Sequence, residues 1–123
     1  MKRLLILSWL LIAAIPAHAD LNIVIDEGVS GALPIAVVPF KSTGSLPVDV
    51  TEVVEADLKR SGLFDPLPEN RMLAKPSRPE DVQLQNWRAA DVDNLVVGEI
   101  NRVEGGAYNI RFHLIDVYRG KQV

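Results

Sequence analysis

Two short apolar runs constrain the fold of this chain more than any other feature. One covers residues 35–38, with the sequence Ile-Ala-Val-Val, and the other covers residues 95–100, from Leu95 to Ile100. Runs that are rich in β-branched residues and lack strict polar alternation are typical of strands buried on both faces. The predicted sheet therefore needs helices to cover it.

The residues between the two runs predict one helix and one edge strand. Residues 41–47 are rich in Ser, Gly and Pro and predict a loop. Asp49 can then cap a helix, with Glu52 completing a capping-box-like pair, and glycine at position 62 can end it. Residues 63–67 predict a short strand, whose proline places it at a sheet edge or terminus.

The carboxy-terminal half predicts a second helix and a β-hairpin. A shorter helix is predicted from Pro79 to Ala90, and Trp87 is expected in its core-facing surface. Paired glycines at 105 and 106 predict a tight turn, followed by a strand that alternates from residue 108 to residue 114. Residues 118–121 predict a further turn, and Val123 would open another strand. The predicted fold class is α/β, with two helices packed on a mixed β-sheet.

The first nineteen residues have the layout of a secretory signal peptide. A basic start is followed by an apolar stretch of twelve residues from Leu4 to Ile15 and by an Ala-His-Ala ending at Ala19. Twelve residues rise about 18 Å as a helix, which is too short for a hydrocarbon core of about 30 Å. A retained anchor is the alternative, but we expect cleavage between Ala19 and Asp20 and no membrane insertion afterwards.

Composition narrows the class of partner. The whole chain has a formal charge of −3, and loss of Lys2 and Arg3 would leave 11 basic residues against 16 acidic ones, or −5. Nucleic acid and anionic lipid both attract basic surfaces, so neither is an expected partner. The chain has no cysteine, which excludes disulfides, thiol chemistry and a lipidated amino-terminal cysteine.

No catalytic or metal-binding constellation stands out. His113 is the only histidine after the signal peptide and is expected to be a plain surface residue on a strand. The serines occupy loops or caps, and no phosphate-loop or nucleophile-elbow pattern occurs. The acidic residues from Asp49 to Asp57 fit a solvated helix face. We therefore predict no catalytic residue, no metal site and no cofactor.

The leading strand is the one segment with a plausible binding role. Leu21, Ile23 and Ile25 alternate on one face, and the small and polar residues of 26–31 separate this strand from the rest. Such a strand either packs as an edge of its own sheet or pairs with another protein by β-augmentation. The residue pattern alone does not favour either of these two alternatives.

The order and spacing of several segments closely resemble the TolB amino-terminal domain family of the Tol-Pal system. The resemblance covers essentially the whole chain after the signal peptide. The segments that carry it are Ile23-Val24-Ile25-Asp26, Pro34-Ile35-Ala36-Val37-Val38-Pro39-Phe40, Asp57-Leu58, Ser61-Gly62-Leu63-Phe64, Pro66-Leu67, Trp87, Asp93 and Val96-Val97-Gly98. The Val-Val-Pro-Phe strand and the Ser-Gly-x-Phe segment together are its most specific part.

The resemblance implies a non-enzymatic protein of the Gram-negative periplasm that supports outer-membrane integrity and constriction at division. It implies that the amino-terminus adds a strand to the carboxy-terminal domain of TolA, and that a downstream β-propeller, absent here, binds Pal. Carried over by position, the TolA-binding residues are Asp20, Leu21, Asn22, Ile23, Val24, Ile25, Asp26, Glu27 and Gly28.

The expected organisation is a signal peptide at 1–19, a partner-binding strand and hinge at 20–33, and an α/β domain at 34–123. The chain is expected to be a fragment, because Val123 falls within a predicted strand. Two alternatives remain: an exported enzyme or ligand-binding domain with its site in the downstream part, and a different envelope lipoprotein-regulator domain of similar layout. Downstream repeats of about 40 residues would indicate a propeller.

Mass spectrometry of the exported protein tests the predicted processing site. The small-x-small ending at Ala19 should direct cleavage so that Asp20 is the first residue. A mature form that retains Met1 to Ala19 would contradict this prediction.

Overall fold

The computed structural model describes residues 31–123, and the predicted signal peptide and leading strand lie outside this range. Within this range, six strands and two α-helices follow one another, with three short 3₁₀ turns between them. In order they are β1 (Leu33–Val37), β2 (Lys41–Ser42), α1 (Val50–Arg60), β3 (Phe64–Pro66), α2 (Leu84–Ala89), β4 (Asn94–Arg102), β5 (Tyr108–Asp116) and β6 (Lys121–Gln122). The predicted α/β class, with two helices on a mixed sheet, is confirmed.

The sheet combines a parallel half with an antiparallel half. Its main path is β3-β1-β4-β5-β6, in which β1 runs parallel to β3 and β4. The strands β4, β5 and β6 form an antiparallel meander. Parallel neighbouring strands such as β1 and β4 must be joined by a crossover connection, which usually contains a helix. Both α1 and α2 accordingly lie between β1 and β4 in the sequence.

Each helix covers a different face of the sheet. On one face, Trp87 of α2 packs with Ala36, Val38, Leu95 and Val97. On the other face, the α1 side chains pack near Ile35, Val37 and Val96, which alternate with the first set along their strands. The two predicted runs are therefore buried on both faces, and Trp87 is a core residue at 2% exposure.

Helix α1 follows its sequence signals closely. The Asp49 side chain accepts a hydrogen bond from the Glu52 N–H at 3.1 Å, as an N-cap should. Gly62 follows the helix at φ 73°, a conformation that glycine adopts without strain. Of its valines, Val54 packs against the sheet, whereas Val53 is 47% exposed and lies off the buried stripe.

Two local predictions were wrong. Residues 41–47 are not entirely loop, because β2 pairs in parallel with Glu99 and Ile100 of β4. β1 pairs with an earlier part of β4, at residues 94–96. The predicted helix from Pro79 to Ala90 is a 3₁₀ turn at Pro79–Asp81 followed by α2. The break consists of Val82 and Gln83, which have extended backbone conformations. This conformation allows the Val82 side chain to pack against the core.

The hairpin and edge predictions are confirmed. β3 forms one edge of the main sheet and contains Pro66. The turn between β4 and β5 has φ 82° at Gly105 and 80° at Gly106. The turn predicted at 118–121 and the strand predicted at Val123 were placed slightly wrong, because the turn covers residues 117–120 and β6 covers Lys121–Gln122. Val123 lies just beyond β6, and its N–H donates to the Leu114 carbonyl at 3.0 Å.

Among the described glycines, Gly98 has the closest approach of a neighbouring backbone. A Cβ built there would lie 2.8 Å from the Arg111 carbonyl oxygen, 3.2 Å from the Phe40 ring and 3.3 Å from the Phe112 Cβ. The carbonyl belongs to the paired strand, so it cannot move without disturbing the ladder. Glycine is required here because there is no room for a Cβ atom, and not because of a left-handed backbone conformation.

Replacing Gly98 by alanine should lower the free energy of unfolding by about 1–3 kcal/mol, because overpacking displaces backbone. Urea unfolding should show a lower midpoint with an unchanged slope. Asn101→Ala, at an exposed position of the same strand, is the matched control and should change stability by no more than about 0.5 kcal/mol. Equal stability of Gly98→Ala and the parent would refute the packing argument.

Candidate functional site

The predicted TolA-binding residues, 20–28, lie outside the described residues. The described chain begins at Gly31, with φ 111°, and enters β1 at Leu33, which is 47% exposed. β1 is already paired on both edges, with β3 and with β4. The described sheet therefore has no vacant position beside β1 for a strand that precedes it.

An apolar groove runs between α1 and β5 beside this entry point. It has a volume of about 620 Å³. Its lining is Leu33, Ile35, Phe40, Val50, Val54, Leu58, Phe64, Asn94, Val96, Ile110, Phe112 and Leu114. The alternating apolar face of β5 opens here, with Ile110 at 48% and Phe112 at 64% exposure. Alternation located this stripe correctly, but it could not indicate that the stripe would be exposed.

A polar recess lies on the opposite face, under the loop that precedes α2. It has a volume of about 470 Å³, and its lining is Ser77, Arg78, Pro79, Glu80, Glu99, Arg111, His113 and Gln122. Its charged residues come from β4, β5 and the loop, so the fold brings together residues that are far apart in sequence.

Glu99 organises one wall of the recess. Its Oε1 accepts from the Arg78 Nε at 3.0 Å and from the Ser77 hydroxyl at 3.3 Å. The hydrogen bond from Arg78 holds the pKa of the Glu99 carboxyl below its usual range, and the same pair raises the pKa of Arg78. The recess thus contains an ionised carboxylate that already has a cationic partner.

His113 lies in the same recess and is half-buried, so the expectation of a plain surface residue is only partly met. Its Nδ1 lies 3.1 Å from the Gln122 side-chain oxygen. The sequence analysis missed Arg78, Glu99 and Arg111 as a group. The available signal was Glu99 itself, because a carboxylate inside a buried strand requires a partner.

Residues 31–123 contain neither a metal-binding cluster nor a membrane-spanning helix. Within them, no group of three or more His, Asp or Glu side chains could hold a metal ion. No helix among the described residues is both long and apolar enough to cross a bilayer.

Known proteins of one family match this chain over most of its length. The TolB amino-terminal domain family matches residues 21–123. A Tol-Pal system protein TolB from Mannheimia succiniciproducens is 47% identical over 105 residues, which cover 85% of this chain and 24% of that protein. A second, from Methylococcus capsulatus, is 46% identical and covers 93% of this chain and 27% of that protein. The chain thus spans about a quarter of the length of these relatives.

Solved structures agree with the sequence match. A crystal structure of TolB from Acinetobacter baumannii aligns with a TM-score of 0.60 and 30% identity, covering 74% of this chain and 21% of that one. The carboxy-terminal domain of LpoB from Salmonella enterica also aligns, with a TM-score of 0.60, over 79% of this chain and 81% of its own. Its identity of 15% indicates a shared fold alone.

The family match over residues 21–123 and relatives at 46–47% identity lead to one conclusion. This chain belongs to the TolB amino-terminal domain family and corresponds to a component of the Tol-Pal system.

Proposed function

We propose that this chain is the amino-terminal part of a periplasmic, non-enzymatic Tol-Pal protein that links TolA to Pal. In this role it maintains outer-membrane integrity and supports outer-membrane constriction during cell division. The observation that carries the proposal is the family match, which begins at residue 21 and continues to residue 123. That match starts at the second residue after the expected cleavage site, which also supports export.

The proposed contact with TolA is an added β-strand formed by residues 20–28. Main-chain hydrogen bonds would supply affinity, and the alternating Leu21, Ile23 and Ile25 would set the register on the carboxy-terminal domain of TolA. Two features of the fold support this assignment. β1 has no unpaired edge beside it, and the six strands of the described sheet all lie between Leu33 and Gln122.

The proposed contact with Pal lies elsewhere in the protein. The relatives are about four times as long as the matched part of this chain, which covers 24% of the first of them. We therefore assign Pal binding to the downstream propeller and to none of the residues in this sequence.

Deleting residues 20–28 should abolish binding to the TolA carboxy-terminal domain and leave the fold intact, because both edges of β1 are paired by strands of the described range 31–123. Isothermal titration calorimetry against that domain measures the binding, and urea unfolding measures the fold. The deletion should move the unfolding midpoint little.

Two substitutions at one position separate backbone from side-chain contributions. Ile23→Pro removes a ladder N–H and should reduce TolA binding nearly as much as the deletion. Ile23→Ala keeps the N–H and should weaken binding less. If the deletion binds as tightly as the parent, the leading strand is structural and the TolA contact must lie on another surface.

A further inference from the structure

The polar recess contains a guanidinium group that its expected partner does not neutralise. Arg111 lies directly opposite Glu99 in the β4–β5 register, a position where opposite charges commonly pair. Glu99 instead bonds to Arg78 and Ser77. Among the described residues, no carboxylate oxygen lies within 4.0 Å of Arg111. Its planar donor set is therefore available to a ligand.

Neighbouring groups add polar donors on the same wall. His113 is two residues further along β5, so it shares the face of Arg111. Its contact with Gln122 fixes the ring through Nδ1, and its second nitrogen has no hydrogen-bond partner among residues 31–123. When Nε2 carries a hydrogen, it can donate to a bound group while Nδ1 keeps its contact with Gln122.

We propose that the polar recess binds a carboxylate group, with Arg111 as its principal ligand and His113 as a second donor. A guanidinium fork matches the two oxygens of a carboxylate in plane and spacing. The lining carries two guanidinium groups, Arg78 and Arg111, and two carboxylates, Glu80 and Glu99, so it lacks the excess positive charge on which binding of a dianionic phosphate depends. The charge balance therefore favours a carboxylate over a phosphate.

The volume of about 470 Å³ accommodates a side chain with its flanking backbone as well as a small acid. The carboxylate can thus come from an acidic residue of a peptide or from a free carboxylic acid. The site does not involve residues 20–28, so it is independent of the proposed TolA contact.

Nuclear magnetic resonance titration of the ¹⁵N-labelled full chain at constant low ionic strength tests the proposal. The probes are an end-blocked Gly-Glu-Gly peptide, the matched Gly-Gln-Gly peptide and sodium acetate. The glutamate peptide should shift the Arg111 side-chain signal and the backbone amides of Ser77 and His113, and the glutamine peptide should not. Tighter binding of the glutamate peptide than of acetate would identify a peptide ligand, and equal binding would identify a small acid; both support the site.

Variants provide the decisive comparison. Arg111→Gln should raise the dissociation constant by about tenfold or more, because it removes a charge-assisted bidentate contact. Arg111→Lys keeps the charge without the fork and should give an intermediate value. Arg102→Gln, at an exposed β4 position outside the recess, is the control and should bind like the parent. Equal shifts from both peptides, unchanged affinity in Arg111→Gln with its spectrum still folded, or absence of any shift would overturn the proposal.

Discussion

Burial of β4 on both faces is the constraint on which the rest of the structure depends. Leu95 and Val97 are fully buried on one face, and Val96 and Ile100 are at most 9% exposed. Burying each such side chain contributes about 1.5–3 kcal/mol. An exposed ion pair such as Arg60–Asp57 contributes only about 0–1 kcal/mol. The apolar pairing of β4 with β1 and β5 therefore determines the fold, and the surface charges are secondary.

The sequence predicted the parts of the fold that local chemistry controls. The cap at Asp49 and the paired glycines at 105 and 106 each specify a local geometry, and the structure has that geometry. β2 and the break in the second helix were missed for a different reason. Both depend on distant partners: β2 forms because β4 offers an open edge at Glu99, and Val82 leaves the helix to reach the core.

In the candidate sites too, features set by local sequence were predicted, whereas features set by tertiary packing were not. The alternation of β5 identified an apolar stripe, but the half-covered face on which Phe112 is 64% exposed follows from the position of α1. The polar recess is lined by the loop residues Ser77 and Arg78 and by residues of two strands. Their spacing in the sequence does not indicate that they lie close together in the fold. Glu99, a charge within an apolar run, was the available signal for this site, and the sequence analysis did not use it.

Hydrogen–deuterium exchange of the full chain, with and without the TolA carboxy-terminal domain, most directly tests the central claim. That claim is that a rigid body built around β4 presents a separate binding segment at residues 20–28. TolA should protect amides of that segment and leave the already slow amides of β4 unchanged. New protection confined to the folded body, or exchange in β4 as fast as in the short edge strand β6, would contradict the account.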